Sequence, residues 1–531
     1  MAILSITTVL FTAYTGMQLA SGQAVSDELV TYEKRSSFIK EFAIPFDELG
    51  LRGIATDPQG NAWFLHSTNA TSSVIRFDLE TGEFTRYPIE GETVADNAVI
   101  NLAAGQLVFD SARNAVWFTD ARTNSLGKLD VANGEVELVR IPTEKAGPMG
   151  IALSPDRETV WVAEITGDKI ARVDAEDLIV TEYFTGDDSG PTLLTFDGSG
   201  ILWATLSFSN SVLRIDTQSL SSNPSSAMTE LGLTGDTFSP FGIAISDGKV
   251  YVSDHGSSRI TVSDAGFANY VEYWTSPSAA FPTTLPSQVV ADGQGNIYFP
   301  QHGGNRISVI DVTGVMTEYE IPTGPLSTAV FIAASGDGKV WFTEWAANKV
   351  AYLDTRMQVP LALGVEKAAV TLDGTGPQTV RVSLSSSDAS SPVSLTEVEI
   401  GLTGMTESGL AGVTYEARPP RVNLQDASSA ESEIQFRALE NARPGSYVAM
   451  VKASAPENDD LIVSKLYPIE LVLDVPEPDL GQDNLIQNTP QAADTTAQDA
   501  LRIAAPLGAA GVIAFAIYRW KMRKAQQRGA G

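Results

Sequence analysis

Between residues 50 and 354, apolar and polar residues alternate in short runs separated by turn residues. Residues 329–335, 340–344 and 348–354 show the pattern, and a GDGK turn joins the first two of these runs. Runs of this length with intervening Gly, Asp and Asn are typical of antiparallel β-strands. The pattern therefore predicts an all-β chain built from small antiparallel sheets.

This three-strand unit recurs seven times, and each copy carries a large aromatic residue in its second strand. The seven aromatic residues are Trp63, Trp117, Trp161, Trp203, Tyr251, Tyr298 and Trp341. They are 42 to 54 residues apart, which is the spacing of four-stranded propeller blades. We predict a seven-bladed β-propeller over residues 37–356.

The predicted ring needs an outer strand for its last blade. Six units are followed by an outer strand, but the seventh ends at Asp354 without one. Upstream of blade 1, residues 39–46 (IKEFAIPF) have the same pattern as the outer strands. Pairing of this segment with blade 7 would remove a free sheet edge and join the two ends of the domain.

The repeat is lost in residues 357–475, where strictly alternating runs such as TVRVSLSS and YPIELVLDV are separated by turns. This is typical of a β-sandwich, and we predict an immunoglobulin-like domain. Its expected role is that of a spacer or adhesive module, with carbohydrate binding as a further option.

Both ends of the chain predict export and membrane anchoring. Residues 1–24 are uncharged and end in small residues, as in a signal peptide, although an uncleaved anchor or a misassigned start codon is an alternative. Residues 503–518 form an uncharged apolar run within a predicted membrane helix at 502–519, which precedes a basic tail at 520–531, and residues 476–501 form a polar stalk. We predict a single transmembrane helix with a cytoplasmic tail, a buried terminal helix being the alternative.

The composition and net charge of the chain exclude several classes of function. The chain is 43% hydrophobic with a formal charge of −30 and no cysteine, which excludes a disordered chain, a cysteine nucleophile and thiolate metal sites. The negative charge disfavours nucleic acid and suits cations or basic partners.

One position per blade carries candidate chemistry: the residue that ends the predicted second strand, expected in the loop that follows. These strand-end residues are His66, Asp120, Glu164, Leu206, Asp254, Gln301 and Glu344. Two of the three histidines, His255 and His302, come one residue later. Because blades 5, 6, 7 and 1 are neighbours in the ring, these groups are expected along one arc of one face.

That arc predicts a site at the mouth of the central channel. Its ligand-binding residues would be His66, Asp120, Glu164, Gln301 and Trp345. Carboxylates of Asp254 and Glu344 suit Mg²⁺ or Ca²⁺, whereas imidazoles suit Zn²⁺. The alternative is that polar residues simply end strands on a solvated rim, with no site implied.

Residues 338–345 (GKVWFTEW) and the following Asn348-Lys349-Val350 resemble the virginiamycin B lyase (streptogramin lyase) family. The resemblance implies a seven-bladed propeller and a magnesium-assisted lyase that opens a cyclic depsipeptide by elimination, using a His and a Glu of the last blade. Glu344 matches that Glu, but the base His falls at about Val330 and a further His near Ala346. Abstraction of an α-proton needs a titratable base, so the family's chemistry is not expected to survive unchanged.

Two main functions follow. The first is a membrane-anchored surface protein that binds an extracellular small molecule, glycan or protein. The second is a metal-assisted lyase or lactone hydrolase in which Glu344 and Asp254 hold the metal and His302 or His255 acts as acid or base. A purely structural surface-layer role is a third option.

Overall fold

The computed structural model describes residues 30–477, except 47–48, 69–70, 95–104, 234–236, 279–280, 282, 387–391, 405–411, 426–427 and 458–459. The predicted signal peptide, most of the stalk, the transmembrane helix and the tail lie outside the described residues. In the described part of the chain, no helix is long and apolar enough to cross a membrane.

The described residues are almost entirely β-strand. Two strands precede the first blade, β1 (Val30–Glu33) and β2 (Ile39–Ala43). Blade 1 contains β3 (Leu51–Thr56), β4 (Ala62–Ser67), β5 (Ser72–Phe77) and β6 (Phe84–Ile89), and blade 2 contains β7 (Leu107–Asp110), β8 (Ala115–Asp120), β9 (Ser125–Asp130) and β10 (Val136–Arg140). Blade 3 contains β11 (Pro148–Leu153), β12 (Thr159–Glu164), β13 (Lys169–Asp174) and β14 (Val180–Phe184).

Blade 4 contains β15 (Pro191–Phe196), β16 (Ile201–Leu206), β17 (Ser211–Asp216) and β18 (Met228–Gly232), with a one-turn helix at Pro224–Ala227. Blade 5 contains β19 (Pro240–Ser246), β20 (Lys249–Asp254), β21 (Arg259–Asp264) and β22 (Tyr270–Trp274). Blade 6 contains β23 (Val290–Ala291), β24 (Ile297–Gln301), β25 (Arg306–Ile310) and β26 (Met316–Glu320). After β27 (Thr323–Pro325), which pairs with β1, blade 7 contains β28 (Ala329–Ala334), β29 (Lys339–Glu344) and β30 (Lys349–Asp354).

Closure of the ring follows the prediction. Strand β2 pairs antiparallel with β30 in the register Glu41 to Ala351, and so becomes the fourth strand of blade 7. Phe42 of β2 packs against Phe77 of blade 1 and against Trp341 of blade 7. The closing strand is therefore held by backbone pairing and by aromatic contacts with two blades.

The seven second-strand aromatic residues form the core between blades. All are at most 9% exposed. Trp117 of blade 2 packs with Val160 and Val162 of blade 3, and Trp161 of blade 3 packs with Leu202 of blade 4. The residue before the strand end adds hydrogen bonds to the next blade: the hydroxyls of Thr119, Thr205 and Thr343 donate to the carbonyl oxygens of Met149, Phe241 and Arg52 at 2.6–2.8 Å.

The chain after blade 7 forms two further groups of strands. One sheet has the order β31 (Leu361–Val365), β33 (Gln378–Ser386), β37 (Ser429–Ala438) and β35 (Val413–Arg418). The other contains β32 (Ala369–Leu372), β34 (Val398–Thr403), β36 (Arg421–Val422), β38 (Gly445–Pro456) and β39 (Ile462–Leu473). Buried residues of both sheets, among them Val382, Phe436 and Val451, belong to one hydrophobic cluster.

The second of these sheets continues from blade 6. Strand β39 pairs antiparallel with β26 in the register Met316 to Leu466 and Tyr319 to Val463, so blade 6 has a fifth strand. Strand β26 is accordingly buried over four of its five residues, whereas the corresponding β14 of blade 3 is not. This continuity was not predicted from the sequence.

Candidate functional site

The strand-end residues are buried, and the expectation of a solvated loop is wrong for them. Each except His66 is the last residue of its strand, His66 being followed by Ser67 in β4, and all seven are at most 3% exposed. Glu344 shows the reason: its backbone is paired with Ala329 on one side and Lys349 on the other, so the ladder extends to the last residue. The side chain therefore lies inside the blade.

In blade 7, Glu344 belongs to a group that we call the blade 7 acid cluster: Glu344, Glu41, Lys349 and Thr323. The Lys349 ammonium lies 3.1 Å from Glu41 Oε2 and 2.7 Å from Thr323 Oγ1. Thr323 donates its backbone N–H and its hydroxyl to the two Glu41 oxygens. Lys349 also contacts the Glu33 carboxylate at 2.9 Å. The cluster thus joins both ends of the propeller chain.

Glu344 itself is held differently from Glu41. Among the described residues, neither of its carboxylate oxygens has a hydrogen-bond partner. Burial, and next the negative charge of Glu41, raise the pKa of Glu344 well above its ordinary value, against the opposing effect of the Lys349 ammonium. The site favours the protonated acid.

Blade 3 contains the same arrangement, the blade 3 acid cluster of Glu164, Glu182, Lys169 and Thr143. Lys169 Nζ lies 2.7 Å from Glu182 Oε2 and 2.6 Å from Thr143 Oγ1. Thr143 donates its N–H and hydroxyl to Glu182 at 2.8 and 2.9 Å. Burial, followed by the charge of Glu182, raises the pKa of Glu164 to about 8. The environment of Glu344 is therefore repeated on a second blade.

The aspartates are neutralised within their own blades. Asp254 Oδ2 lies 3.0 Å from the Arg259 guanidinium, which also binds Glu272 at 2.9 Å. Asp120 lies 3.6 Å from Arg122 and accepts the Thr123 hydroxyl. Burial raises the pKa of both aspartates, against the effect of the neighbouring arginine. Of the remaining strand-end residues, His66 is buried in blade 1, Leu206 in blade 4 and Gln301 in blade 6.

His255 and His302, two of the residues predicted along one arc, lie in contact. Their Nε2 atoms are 3.4 Å apart and their rings are stacked, with Phe241 stacked on His255. Because His255 Nδ1 lies 3.0 Å from the Pro286 carbonyl oxygen, which only accepts, that nitrogen carries the proton. His302 Nε2 then donates to His255 Nε2, and His302 Nδ1 is left without a partner among the described residues.

Both imidazoles are uncharged at neutral pH. Burial lowers the pKa of His255 to about 4. Burial, and next the repulsion that a protonated His255 would exert, lower the pKa of His302 well below its ordinary value. In the described part of the chain, no hydrogen bond joins either ring to Asp254 or Glu344.

The described residues do not fit the predicted divalent cation. Nowhere in the described ranges do three or more His, Asp or Glu side chains form a group that could hold a metal ion. Asp254 is bound to Arg259, and Glu344 belongs to a cluster that already contains a lysine. The Mg²⁺ or Ca²⁺ stays a prediction.

Apolar residues fill the centre of the ring. Ala121, Met149, Ile165, Leu193 and Phe241 form a buried cluster contributed by blades 2 to 5. Val330 and Phe208, both partly exposed, pack against it. Val330 is the position at which the resemblance requires a general base.

The resemblance places a further histidine near Ala346, and this position is also apolar. Ala346 is fully buried with Phe281 and Leu326, and Trp345 packs against the three. Phe281 comes from the long connection between blades 5 and 6, so this connection reaches the end of blade 7. The partly exposed Trp345, predicted to bind ligand, therefore lies beside an apolar contact.

Comparison with known protein families identifies the family of this chain. The sequence profile of the virginiamycin B lyase family matches residues 37–324, more than half of the chain. The chain belongs to this family. The match ends before blade 7, the blade in which the family's catalytic residues are expected.

Solved structures agree with the fold. A streptogramin B lyase structure is 24% identical, with a TM-score of 0.50 over 60% of this chain and 97% of that one. A catalytically inactive histidine-to-alanine variant of virginiamycin B lyase from Staphylococcus aureus, solved with quinupristin, is 21% identical, with a TM-score of 0.51 over 60% of this chain and 98% of that one. No curated protein matches the chain.

The partners of the strand-end acids were missed from the sequence, although a signal for them was present. The outer strands IKEFA, VTEYF, MTELG, YVEYW and MTEYE each carry a Glu at the same place. These residues are Glu41, Glu182, Glu230, Glu272 and Glu318. A glutamate that recurs in the outer strand indicates a polar contact across the blade, because a solvated strand face needs no fixed residue.

Proposed function

We propose that this chain is an extracytoplasmic binding protein of the virginiamycin B lyase family that does not catalyse the family's elimination. The observation that carries the proposal is the chemistry of the two positions expected to hold histidine. Val330 packs on the apolar centre, and Ala346 is fully buried in a second apolar contact. Neither residue can accept a proton, and an elimination needs a base within hydrogen-bonding reach of the α-proton.

The remaining catalytic candidate, Glu344, has a structural explanation. Glu164 lies in the same arrangement of lysine, threonine and second glutamate, at a blade to which the family resemblance assigns no chemistry. Because the same surroundings occur around Glu164 in blade 3, where no catalysis is expected, they support a structural role for Glu344 as well.

The proposed ligand is largely apolar and carries no negative charge. Phe208, Val330 and Trp345 are partly exposed and lie against buried apolar residues. The neighbouring His255 and His302 stay neutral, so the face offers no fixed positive charge to an anion. Quinupristin, which is bound in one solved relative, is therefore the probe for this proposal.

The rest of the proposal concerns where the protein acts. We infer a signal peptide at 1–24, an immunoglobulin-like fold for the strands of 361–473, a stalk, and a single membrane helix at 502–519 with the tail inside. The support is the apolar run before a basic tail. Secretion of a chain that lacks residues 500–531 would agree with this topology, and its retention in the membrane fraction would contradict it.

The experiment for the binding function uses the full chain in detergent with quinupristin as the probe. Calorimetric titration measures binding, and mass spectrometry of the same mixture measures ring opening. The proposal expects saturable binding with an intact ring, and a Trp345→Ala variant with weaker binding. Rapid ring opening contradicts the absence of catalysis, and no binding at all contradicts the proposed ligand class.

One observation favours a metal-assisted lyase or lactone hydrolase as a second candidate. The observation is His302 Nδ1, a buried nitrogen without a described partner, which a substrate or ion could complete. A preparation that hydrolyses simple lactones, loses that activity on chelation and regains it with Mg²⁺ would support this candidate. Unchanged hydrolysis after chelation would exclude the metal.

A further inference from the structure

The chain enters the propeller across the face that carries the candidate site. Strand β1 pairs antiparallel with β27, in the register Val30 to Pro325 and Glu33 to Thr323. Strand β27 belongs to the connection between blade 6 and blade 7. The course of this connection therefore sets the direction in which the chain before Val30 extends.

Strand β27 leads inward, from the outer strand of blade 7 toward its second strand. Its first residue, Thr323, donates its N–H and hydroxyl to Glu41 of the outer strand. Leu326, directly after its end, packs with Ala346, which follows the second strand. Because β1 runs in the opposite direction to β27, the chain before Val30 is directed inward, alongside Leu326.

Two contacts hold β1 in this direction. The Lys349 ammonium donates to Glu33 Oε1 at 2.9 Å, and so joins β1 to blade 7. The Tyr32 ring lies so close to the backbone of β27 that a Cβ at Gly324 would overlap it. A glycine at this position is what allows the two strands to approach with the tyrosine between them.

Trp345 lies where the chain before Val30 is directed. It is partly exposed and packs on the buried cluster of Phe281, Leu326 and Ala346. Its indole nitrogen is buried and has no hydrogen-bond partner among the described residues. Because the indole N–H only donates, and a buried donor without an acceptor is unfavourable, this place suits an apolar group that comes with an acceptor.

The segment that precedes Val30 has both properties. Residues 25–29 read VSDEL, with an apolar Leu29 next to β1 and the carboxylates of Asp27 and Glu28 before it. Val30 is the Cα partner of Pro325. One further step of antiparallel pairing brings Leu29 opposite Leu326, the residue of the cluster on which Trp345 packs.

We propose that residues 25–29 lie across this face and cover Trp345, so that the chain supplies the first occupant of its own candidate site. Leu29 packs on the apolar cluster, and an oxygen of the segment accepts the indole N–H. An external ligand binds at Trp345 by displacing the segment. The inference rests on the proposed function in that Trp345 belongs to the ligand site and the signal peptide is removed after residue 24.

The test uses the full chain in detergent. Because the sequence contains no cysteine, one introduced cysteine is the only site for a thiol-reactive dye. Ser26→Cys carries bimane, a dye that tryptophan quenches on contact, and its fluorescence is compared between the Trp345 and Trp345→Phe backgrounds. The matched control carries the dye at Gly198→Cys, in an open turn at the opposite end of blade 4.

The proposal expects the bimane fluorescence at position 26 to rise in Trp345→Phe and that at position 198 to stay constant. Equal fluorescence at position 26 in both backgrounds overturns it, as does an equal rise at both positions. Should Trp345→Phe fail to fold, a chain that begins at Val30 is compared with one that begins at Val25. Acrylamide must then quench the tryptophan fluorescence of the shorter chain more strongly, and equal quenching contradicts the proposal.

Quinupristin titration of these two chains separates this inference from the proposed function. We expect the chain that begins at Val30 to bind more tightly, and equal affinities would contradict displacement of the segment. A failure of quinupristin to bind either chain would contradict the proposed ligand class, whereas the bimane comparison, made without ligand, would still decide where residues 25–29 lie.

Discussion

Blades 3 and 7 contain the same four-residue acid cluster, but only one of them lies where the family places its chemistry. In each, a buried strand-end glutamate lies beside a lysine, a second glutamate and a threonine, with matching hydrogen bonds. Glu344 is thus one of two equivalent residues. The comparison teaches that a buried acid with a raised pKa belongs to the construction of these blades, and its presence alone does not identify an active site.

The two blades differ in how they obtain the second glutamate. Glu182 lies on β14, which follows β13 along the chain, whereas Glu41 lies on β2, which arrives from the N-terminal end to close the ring. The same cluster therefore has a local role in blade 3 and a ring-closing role in blade 7. Matched substitutions at equivalent positions measure that difference.

The largest difference is expected for the aromatic residue next to the second glutamate. Phe42 packs on Trp341 and on Phe77 of blade 1, whereas Tyr183 packs on Trp161. We expect Phe42→Ala to lower the free energy of unfolding by about 3 kcal/mol and Tyr183→Ala by about half as much. Urea unfolding followed by tryptophan fluorescence measures both free energies of unfolding. Equal losses in the two variants would mean that ring closure adds no stability at Phe42.

Removal of the lysine is expected to have the next largest effect. Lys349 interacts with Glu41 and Glu33 and is 12% exposed, whereas Lys169 interacts with Glu182 and is 30% exposed. We expect Lys349→Met to cost about 2 to 3 kcal/mol and Lys169→Met about 1 kcal/mol. Arginine at either position should restore most of the loss. A larger loss in blade 3 than in blade 7 would contradict the ring-closing role.

The strand-end glutamates predict a pH dependence of defined sign. Folding raises both pKa values above the ordinary 4.5, so the folded protein binds more protons than the unfolded chain above that pH. The stability present at pH 4.5 is therefore lost as the pH rises, up to about pH 8 for Glu164. We expect Glu164→Gln and Glu344→Gln to remove this loss, so that each variant gains stability relative to the wild type as the pH rises from 4.5 to 8.

Denaturant midpoints at pH 4.5, 6 and 8 provide the measurement, taken as the difference between each variant and the wild type. The His255 pKa of about 4 acts in the opposite sense between pH 4 and 6.5, but it is common to all three proteins and cancels. A pH-independent difference in either variant would show that its glutamate ionises normally in the folded state.

The smallest effect is expected from the threonine hydroxyls. Thr323 and Thr143 each donate to a glutamate and accept from a lysine at similar distances. We expect Thr323→Val and Thr143→Val to lose about 1 kcal/mol each, with the same value in both blades. A clear difference in thermal unfolding between them would mean that the two clusters are not equivalent.

The sequence predicted most of the propeller because its signals repeat. One buried aromatic residue per blade, such as Trp161 or Trp341, indicates the number of blades, and the pattern of β2 indicates how the ring closes. The fifth strand of blade 6 gave no such signal. MTEYE of blade 6 and VTEYF of blade 3 are nearly the same sequence, and the burial of β26 depends on a strand about 150 residues away.

For the site, residue types were predicted better than their surroundings. The apolar character of Val330 and Ala346 is read from the sequence, and repeat order placed His255 and His302 on neighbouring blades without predicting their contact. The depth of Glu164, Asp254 and Glu344 did not, because a period of two identifies the face of a strand and not how far its neighbours cover it. The prediction of a cation site was made without knowledge of how deeply these carboxylates are buried.

The central claim is that Glu344 is a structural residue like Glu164, in a propeller without lyase activity. Its most direct test is ring opening of quinupristin, followed by mass spectrometry, for the wild type, Glu344→Gln and Glu164→Gln, with a streptogramin B lyase as positive control. We predict no ring opening above the uncatalysed rate in any of the three proteins. Ring opening by the wild type that Glu344→Gln abolishes and Glu164→Gln retains would contradict the account.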